Sequence, residues 1–402
     1  MPRKATRARL RTMSGEPIDD GLVLWFPGPA SFTGEDMAEL HLHGSRAVVA
    51  AALAALGACP GLRPAEPGEF TRRAFENGKL DLTQAEALAD LVAAETAAQR
   101  RQALRQLSGE TGELYNGWRD RLLRAMAYVE SGIDFSDEDI PEGLWAEATG
   151  QVATVCSEIE RHLADGRRGE RLREGVSVVL VGAPNAGKSS LLNALARQEA
   201  AIVDAEPGTT RDVIEVPLDV AGVPAIFADT AGLHEASGAV EREGVRRSRA
   251  RAAAADLRIA VFDGALWPEV DEETAALIDE RTVVVVSKAD LVQVRPPAVV
   301  QNKNAMVVSS RTGAGMDELL AVVAARLGSF EEGIGGPALT RARHRRHLEA
   351  CADALTRFAD AGAAERAAEE LRTAAAALGK ITGRFGVEEM LGAIFSEFCI
   401  GK

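Results

Sequence analysis

Residues 182–189 read Gly-Ala-Pro-Asn-Ala-Gly-Lys-Ser, and an apolar run from Val176 to Val181 leads into them. A helical pattern, Ser190 to Ala196, follows. Strand, glycine loop and helix start together make an anion site: unpaired backbone N–H groups point inward, and the helix dipole favours negative charge. The backbone from Asn185 to Ser190, through Ala186 and Gly187, forms the cradle. Lys188 reaches the outer phosphates, and the Ser189 hydroxyl is placed to ligate Mg2+.

Further signals follow in chain order. Asp229-Thr230-Ala231-Gly232 closes a second apolar run, Val223 to Ala228. An Asp at a strand tip holds the hydration shell of Mg2+, and a glycine such as Gly232 lets the backbone approach a terminal phosphate. Between the two motifs lies Pro207-Gly208-Thr209-Thr210-Arg211-Asp212, whose hydroxyl pair suits a switch loop closing on Mg2+. Val283 to Val286 ends in Ser287-Lys288-Ala289-Asp290, and Ala305 to Val308 leads to Ser309-Ser310-Arg311-Thr312-Gly313. Each is weak alone. Together, in this order, they describe a guanine-nucleotide domain of the switch GTPase type. Asp290 explains the base: a carboxylate accepts from guanine N1–H and the 2-amino group, whereas adenine offers an acceptor at N1 and no 2-amino group.

One position departs from the pattern. The guanine motif normally begins with Asn, which braces the phosphate loop and contacts the N7 edge; here it is Ser287. Serine is shorter and replaces part of that role, so GTP preference is expected to persist through Asp290 with weaker affinity. A second departure concerns catalysis. The Gln that orients water in small signalling GTPases is replaced by Leu233. His234, Glu235, Glu241 and Glu243 lie just downstream, and by pattern alone each reads as a solvated side chain.

At this point the chain resembles the tRNA-modification GTPase family MnmE (TrmE). The segment Val240-Glu241-Arg242-Glu243-Gly244 carries that likeness. So do the run Leu24 to Asp36, the run Pro67 to Leu82 and the ending Phe398-Cys399-Ile400-Gly401-Lys402. The resemblance covers nearly the whole chain. It implies that Glu241 orients the attacking water and that K+ beside the phosphates does the work of an arginine finger. The ion is held by Asn185 and by the loop before the threonine pair, with Asp204, Glu206 and Thr209 as ligands. A monovalent cation there stabilises charge developing in the transition state. The resemblance further implies Mg2+ held by Ser189, Thr210 and, through water, Asp229, and a modification region at Cys399 and Lys402. It implies an FAD- and NADH-dependent partner of the MnmG (GidA) type, a tRNA substrate modified to 5-carboxymethylaminomethyl-uridine at the wobble position, and a homodimer. A tetrahydrofolate derivative would serve as one-carbon donor at the dimer interface. Relative to the family the chain is shortened at its N-terminus, lacking a glycine-rich segment and a first strand. Either the true start lies upstream or the N-terminal domain is incomplete, and no folate ligands are assigned.

The chain has 402 residues, 46% of them hydrophobic, and a net charge of −14. That length predicts two or three domains, and the acidic balance argues against tight non-specific nucleic-acid binding. The one dense basic stretch is Arg341, Arg343, His344, Arg345, Arg346 and His347, read as a solvated helix start or as a tRNA or partner contact. Cysteines at 59, 156, 351 and 399 form no Cys-x-x-Cys pair, which argues against a zinc or disulfide framework and fits a reducing cytoplasm. No run has the length of a membrane span. Cys399 reads either as a modification-site residue or as a small residue on the apolar face Val387, Met390, Leu391, Ile394, Phe395 and Phe398.

The expected fold is α/β plus α: a doubly wound P-loop GTPase sheet inserted into a helical domain, with a small, partial α+β N-terminal domain. The N-terminal domain spans 1–77, the first part of the helical domain 78–174, the GTPase domain 175–334 and the second helical part 335–402. Thr83-Gln84-Ala85-Glu86 reads as a capping box opening a helical pattern that runs through Leu107. The two flanking helical stretches are expected to pack on each other, burying stripes that neither buries alone. Two alternatives remain at this level: a ribosome-assembly or RNA-binding switch GTPase without modification chemistry, and a nucleotide-binding scaffold that no longer turns over.

Overall fold

A computed structural model describes residues 2–134, 143–198, 215–229, 250–291, 298–331, 336–385, 391, 392, 394, 395 and 398. It divides into two compact units. One comprises Met1–Val92, Leu104–Glu160 and Arg346–Lys402; the other comprises Ala93–Ala103 and Arg161–Arg345.

The chain begins with an antiparallel three-stranded sheet, β1 (Thr6–Arg11), β2 (Pro17–Phe26) and β3 (Met37–His41), with β2 in the centre. Six helices follow: α1 (Arg46–Gly57), α2 (Glu69–Glu76), α3 (Leu82–Val92), α4 (Ala97–Leu107), α5 (Glu110–Asp134) and α6 (Leu144–Leu163). Ser45 caps α1, its hydroxyl accepting from the Val48 N–H.

The capping box of α3 lies two residues before the predicted one. Asp81 Oδ1 accepts from the Gln84 N–H at 2.9 Å, and Gln84 Oε1 accepts from the Asp81 N–H at 3.0 Å. Thr83 donates its hydroxyl to the same Asp81 carboxylate and is buried within the helix. Aspartate outcompetes threonine as cap because its charged oxygen sits at the positive end of the dipole. The helical pattern to Leu107 also breaks. A second box, Thr96 with Gln99, restarts the chain as α4.

The sequence then enters an α/β module. α7 (Arg168–Glu174) leads to β4 (Val176–Val181) and α8 (Lys188–Gln198). The module continues through β5 (Glu215–Val220), β6 (Val223–Asp229), β7 (Leu257–Asp263), α9 (Glu272–Ala275) and β8 (Thr282–Ser287). It ends with β9 (Ala298–Val300), β10 (Lys303–Val307) and α10 (Met316–Glu331). The seven strands run β5-β6-β4-β7-β8-β10-β9. The central five are parallel, and the edge strands β5 and β9 are antiparallel to their neighbours. This is the doubly wound arrangement expected of the inserted module.

Strand alternation builds a core on each face of the sheet. Val176, Val178 and Leu180 of β4 pack with Leu191 and Leu195 of α8 and with Leu319 and Val323 of α10. Val179 and Val181 point to the other face, with Ala260, Phe262, Val284 and Val286. The central strands are apolar on both sides because both faces are covered.

Two further helices, α11 (Ala342–Ala359) and α12 (Ala364–Thr382), follow the sheet. α5 packs extensively along α12. Tyr115, Trp118, Leu122, Ala125 and Val129 form one buried stripe of α5; Ala367, Leu371, Ala374, Leu378 and Ile381 form that of α12. Leu82 and Ala85 bury Leu391, Ile394, Phe395 and Phe398. The apolar-face reading of the C-terminal segment holds for these four; Val387, Met390 and Cys399 lie outside the described residues.

Candidate nucleotide-binding site

The sheet topology places every described site residue along one edge. In a doubly wound sheet, ligands bind beyond the carboxyl ends of the parallel strands, where the strand order reverses. Here β6 and β7 flank β4 on opposite sides. The phosphate loop leaves the end of β4, Asp229 ends β6, Asp263 ends β7, Ser287 ends β8, and Ser309 follows β10.

The loop backbone carries the shape. Gly182 passes so close to β7 that a Cβ there would sit 2.4 Å from the Val261 carbonyl oxygen. Asn185, exposed at the loop tip, and Gly187 both have left-handed backbone, at φ 61° and 94°. Lys188, the first helical residue of α8, is 3% exposed, and its ammonium donates to the carbonyls of Gly182 and Ala183, each at 2.8 Å. Burial pulls this ammonium below its ordinary pKa, with Asp229 and Asp271 acting against the shift.

Ser189 donates its hydroxyl to Asp229 Oδ2. Asp229 is 3% exposed. A hydroxyl and a carboxylate brought together beside an anion cradle are the hard oxygen donors that Mg2+ takes, one directly and one through its water shell.

At the other end of the site, Ser287 is buried under the phosphate loop. Its hydroxyl lies 2.5 Å from the Ala186 carbonyl oxygen and 3.1 Å from that of Phe262. The serine retains the brace to the phosphate loop that the usual asparagine makes. Asp290 is positioned by Ser309, whose hydroxyl donates to Oδ1 at 2.6 Å, and by Arg311, whose Nε lies 2.9 Å from Oδ2. The Ser309 hydrogen bond, with help from Arg311, holds the Asp290 carboxyl below its ordinary pKa against a smaller opposing effect of burial. Asp290 is therefore an ionised acceptor, as guanine recognition needs. Ser309 is fully buried and its hydroxyl also accepts from the Thr312 N–H. Ser310 lies in the same turn.

Asp263 is a site residue that the motif reading passed over. Its carboxylate takes the Lys288 ammonium at 2.6 Å, pinning a residue with left-handed backbone at φ 56°. Burial acts to raise its carboxyl, but Lys288 and the Ala265 N–H outweigh it and hold it low. Its signal was in the sequence: like Asp229, it closes an apolar run, here Ile259 to Phe262.

Asp204, Glu206, Thr209, Thr210, Gly232, Leu233, His234, Glu235, Glu241, Glu243, Cys399 and Lys402 lie outside the described residues. The basic stretch at the start of α11 is partly interior. His344 is fully buried, and Arg345, 8% exposed, binds Glu170, Asp165 and the Leu163 carbonyl. Those two positions belong to a buried polar network, which corrects both surface readings for them. Among the described residues no group of three or more His, Cys, Asp or Glu could hold a metal ion, and no helix is long and apolar enough to cross a membrane.

A doubly wound sheet, a phosphate loop with its lysine and serine, and aspartates at or just beyond the strand ends have the layout of a P-loop GTPase, a GTP hydrolase. Two family models match the chain end to end. The GTP-binding protein TrmE N-terminus matches residues 1–79, and the MnmE helical domain matches residues 82–399. The chain belongs to the MnmE family of tRNA-modification GTPases. It is 58% identical over 401 residues to the tRNA modification GTPase MnmE of Paramagnetospirillum magneticum, covering 100% of this chain and 91% of that one. It is 48% identical over 425 residues to the human mitochondrial 5-taurinomethyluridine-[tRNA] synthase subunit GTPB3, covering 99% of this chain and 85% of that one. Among solved structures, the G domain of the T. maritima FeoB iron transporter aligns with 39% of this chain and 99% of its own, at 24% identity and a TM-score of 0.28.

Proposed function

We propose that this chain hydrolyses GTP in a K+-stimulated reaction, coupled through an FAD-dependent MnmG-type partner to formation of 5-carboxymethylaminomethyl-uridine at the tRNA wobble position. The carrying observation is the 58% identity across the whole chain to a protein named tRNA modification GTPase MnmE. We assign the chain a homodimeric assembly and a tetrahydrofolate derivative as one-carbon donor on the same ground.

In this reading Lys188 and the loop backbone hold the β- and γ-phosphates, and Ser189, Thr210 and Asp229 hold Mg2+. Asp290 reads the base, with Ser309 fixing its carboxylate. Leu233 supplies no hydrogen bond to water, so Glu241 takes the water-orienting role. Asn185 presents its amide oxygen at the exposed loop tip to K+, joined by Asp204, Glu206 and Thr209. When bound, Mg2+ and K+ neutralise charge that builds on the phosphate oxygens during transfer. Cys399 and Lys402 are assigned to the modification region. The acidic balance, the flanking helical halves and the ending Phe398 to Lys402 speak against the ribosome-assembly alternative.

Single-turnover GTP hydrolysis in K+ and Na+ buffers of equal ionic strength tests the ion. Faster turnover in K+ is expected; equal rates would overturn the K+ assignment. Nucleoside analysis of tRNA incubated with the chain, GTP and the FAD partner tests the coupling, with modified uridine expected only when GTP is hydrolysed.

A further inference from the structure

We infer that Ser287 is a positioning and specificity-determining residue that braces the phosphate loop while leaving guanine N7 without a side-chain partner, so that the base is read through Asp290. The inference rests on the GTPase assignment and the role of Asp290, and is independent of K+ and of the partner.

The geometry carries it. Ser287 ends β8 and is 5% exposed. Its hydroxyl has one proton and two backbone carbonyls in reach, Ala186 at 2.5 Å and Phe262 at 3.1 Å. One oxygen belongs to the phosphate loop and the other to β7, so the side chain ties the loop to the sheet. The packing is close: a Cβ on Gly187 would lie 3.3 Å from the Ser287 hydroxyl. An asparagine amide carries two N–H donors and can brace the loop with one while offering the other to N7. Serine has one donor, and both acceptors in its reach are backbone. N7 of guanine is an acceptor and needs a donor. Asp290 offers acceptors only, and reads the opposite edge of the base.

Two consequences follow. Substituting carbon for N7 removes no protein contact. Removing the 2-amino group leaves one Asp290 oxygen unpaired and does cost affinity.

The test is displacement of a fluorescent GDP analogue from the full chain by GTP, 7-deaza-GTP and inosine triphosphate. In the wild type, 7-deaza-GTP is expected within about twofold of GTP, and inosine triphosphate weaker by about tenfold or more. Ser287→Asn should recover N7 discrimination, making 7-deaza-GTP weaker than GTP by up to about tenfold. Ser287→Ala should weaken GTP and 7-deaza-GTP by one common factor, and Ser287→Thr, which keeps the hydroxyl, should restore both. Should a variant not fold, the wild-type comparison alone decides. A wild type that binds 7-deaza-GTP about tenfold more weakly than GTP, yet still rejects inosine triphosphate, overturns this inference alone. Equal binding of inosine triphosphate and GTP overturns the Asp290 reading and this inference with it.

Discussion

Arg345 donates from Nε to Glu170 Oε1 at 2.9 Å, joining residues 175 apart in sequence. Glu170 lies in α7, just before β4 opens the GTPase sheet, and Arg345 opens α11, just after α10 completes the module. The same guanidinium takes Asp165 at 2.7 Å and the Leu163 carbonyl at 2.9 Å. Beside it, Gly169 approaches the Leu339 carbonyl so closely that a Cβ would sit 2.2 Å away. Entry and exit of the inserted module are thus clamped at one point. Arg345→Ala leaves two carboxylates without their buried cation and should cost about 3–5 kcal/mol, read by urea unfolding. Arg345→Lys should recover only part, because an ammonium cannot match three acceptors around a planar fork. Wild-type stability in the alanine variant would show that the clamp is dispensable.

His162 gives the unit a defined acid sensitivity. Burial pushes its imidazole down to about 4 from 6.5; Asp165 opposes this, and Arg345 and His344 add to it. Between those two values the unfolded chain binds a proton that the folded one refuses. Stability should therefore fall as pH drops from 6.5 to 4 and level off below that, by roughly 3 kcal/mol in all. His162→Leu should remove that slope from unfolding curves recorded across the range. An unchanged slope would move the sensitivity to other groups.

Much of this molecule was legible in its sequence because its signals are local. A buried parallel strand must be apolar on both faces, so β4, β6 and β8 were visible as runs. The phosphate loop shows itself through glycines that only its backbone shape requires. Asp290 and Ser309 were placed in one site by motif order, although their contact at 2.6 Å joins residues distant in the chain. What escaped was set by competition or by tertiary contact. Asp81 took the cap from Thr83 because a carboxylate is the stronger acceptor at a helix start. Asp263 closes an apolar run as Asp229 does, but only its contact with Lys288 ties it to the site. His344 and Arg345 looked like a surface run because composition cannot reveal that Glu170 and Asp165 fold over the guanidinium.

Asp290 should control which nucleotide is accepted. Its carboxylate is held ionised by Ser309 and Arg311. Asp290→Asn replaces an acceptor with an amide donor facing guanine N1–H and N2, while xanthine offers a carbonyl at that place. GTP affinity should drop at least tenfold and xanthosine triphosphate should become the preferred ligand. Ser309→Ala should act in the same direction but more weakly, since Arg311 still orients the carboxylate. Competition of GTP, ATP and xanthosine triphosphate against a labelled guanine nucleotide reads both, and equal binding of GTP and ATP by the wild type would remove Asp290 from base selection.

The two catalytic proposals separate cleanly by what each variant leaves intact. Glu241→Ala removes the group assigned to orient water and leaves the residues assigned to the phosphates and the base unchanged. Turnover should fall by about 10²–10⁴-fold with nucleotide affinity nearly unchanged. Unchanged turnover would take Glu241 out of the mechanism. Asn185→Lys acts elsewhere. It sets a fixed charge at the exposed tip of the phosphate loop, where the ion is proposed to bind, and repels a second cation from that place. K+ stimulation should disappear while GTP binding persists, because Lys188, Ser189 and Ser287 keep their contacts. Lysine also has to adopt the left-handed backbone that Asn185 holds at φ 61°, which costs about 1 kcal/mol and should weaken nucleotide binding severalfold at most. The readout is therefore the ratio of single-turnover rates in K+ and Na+, which a uniform weakening of binding does not move. A ratio that survives the substitution would place the ion on other ligands.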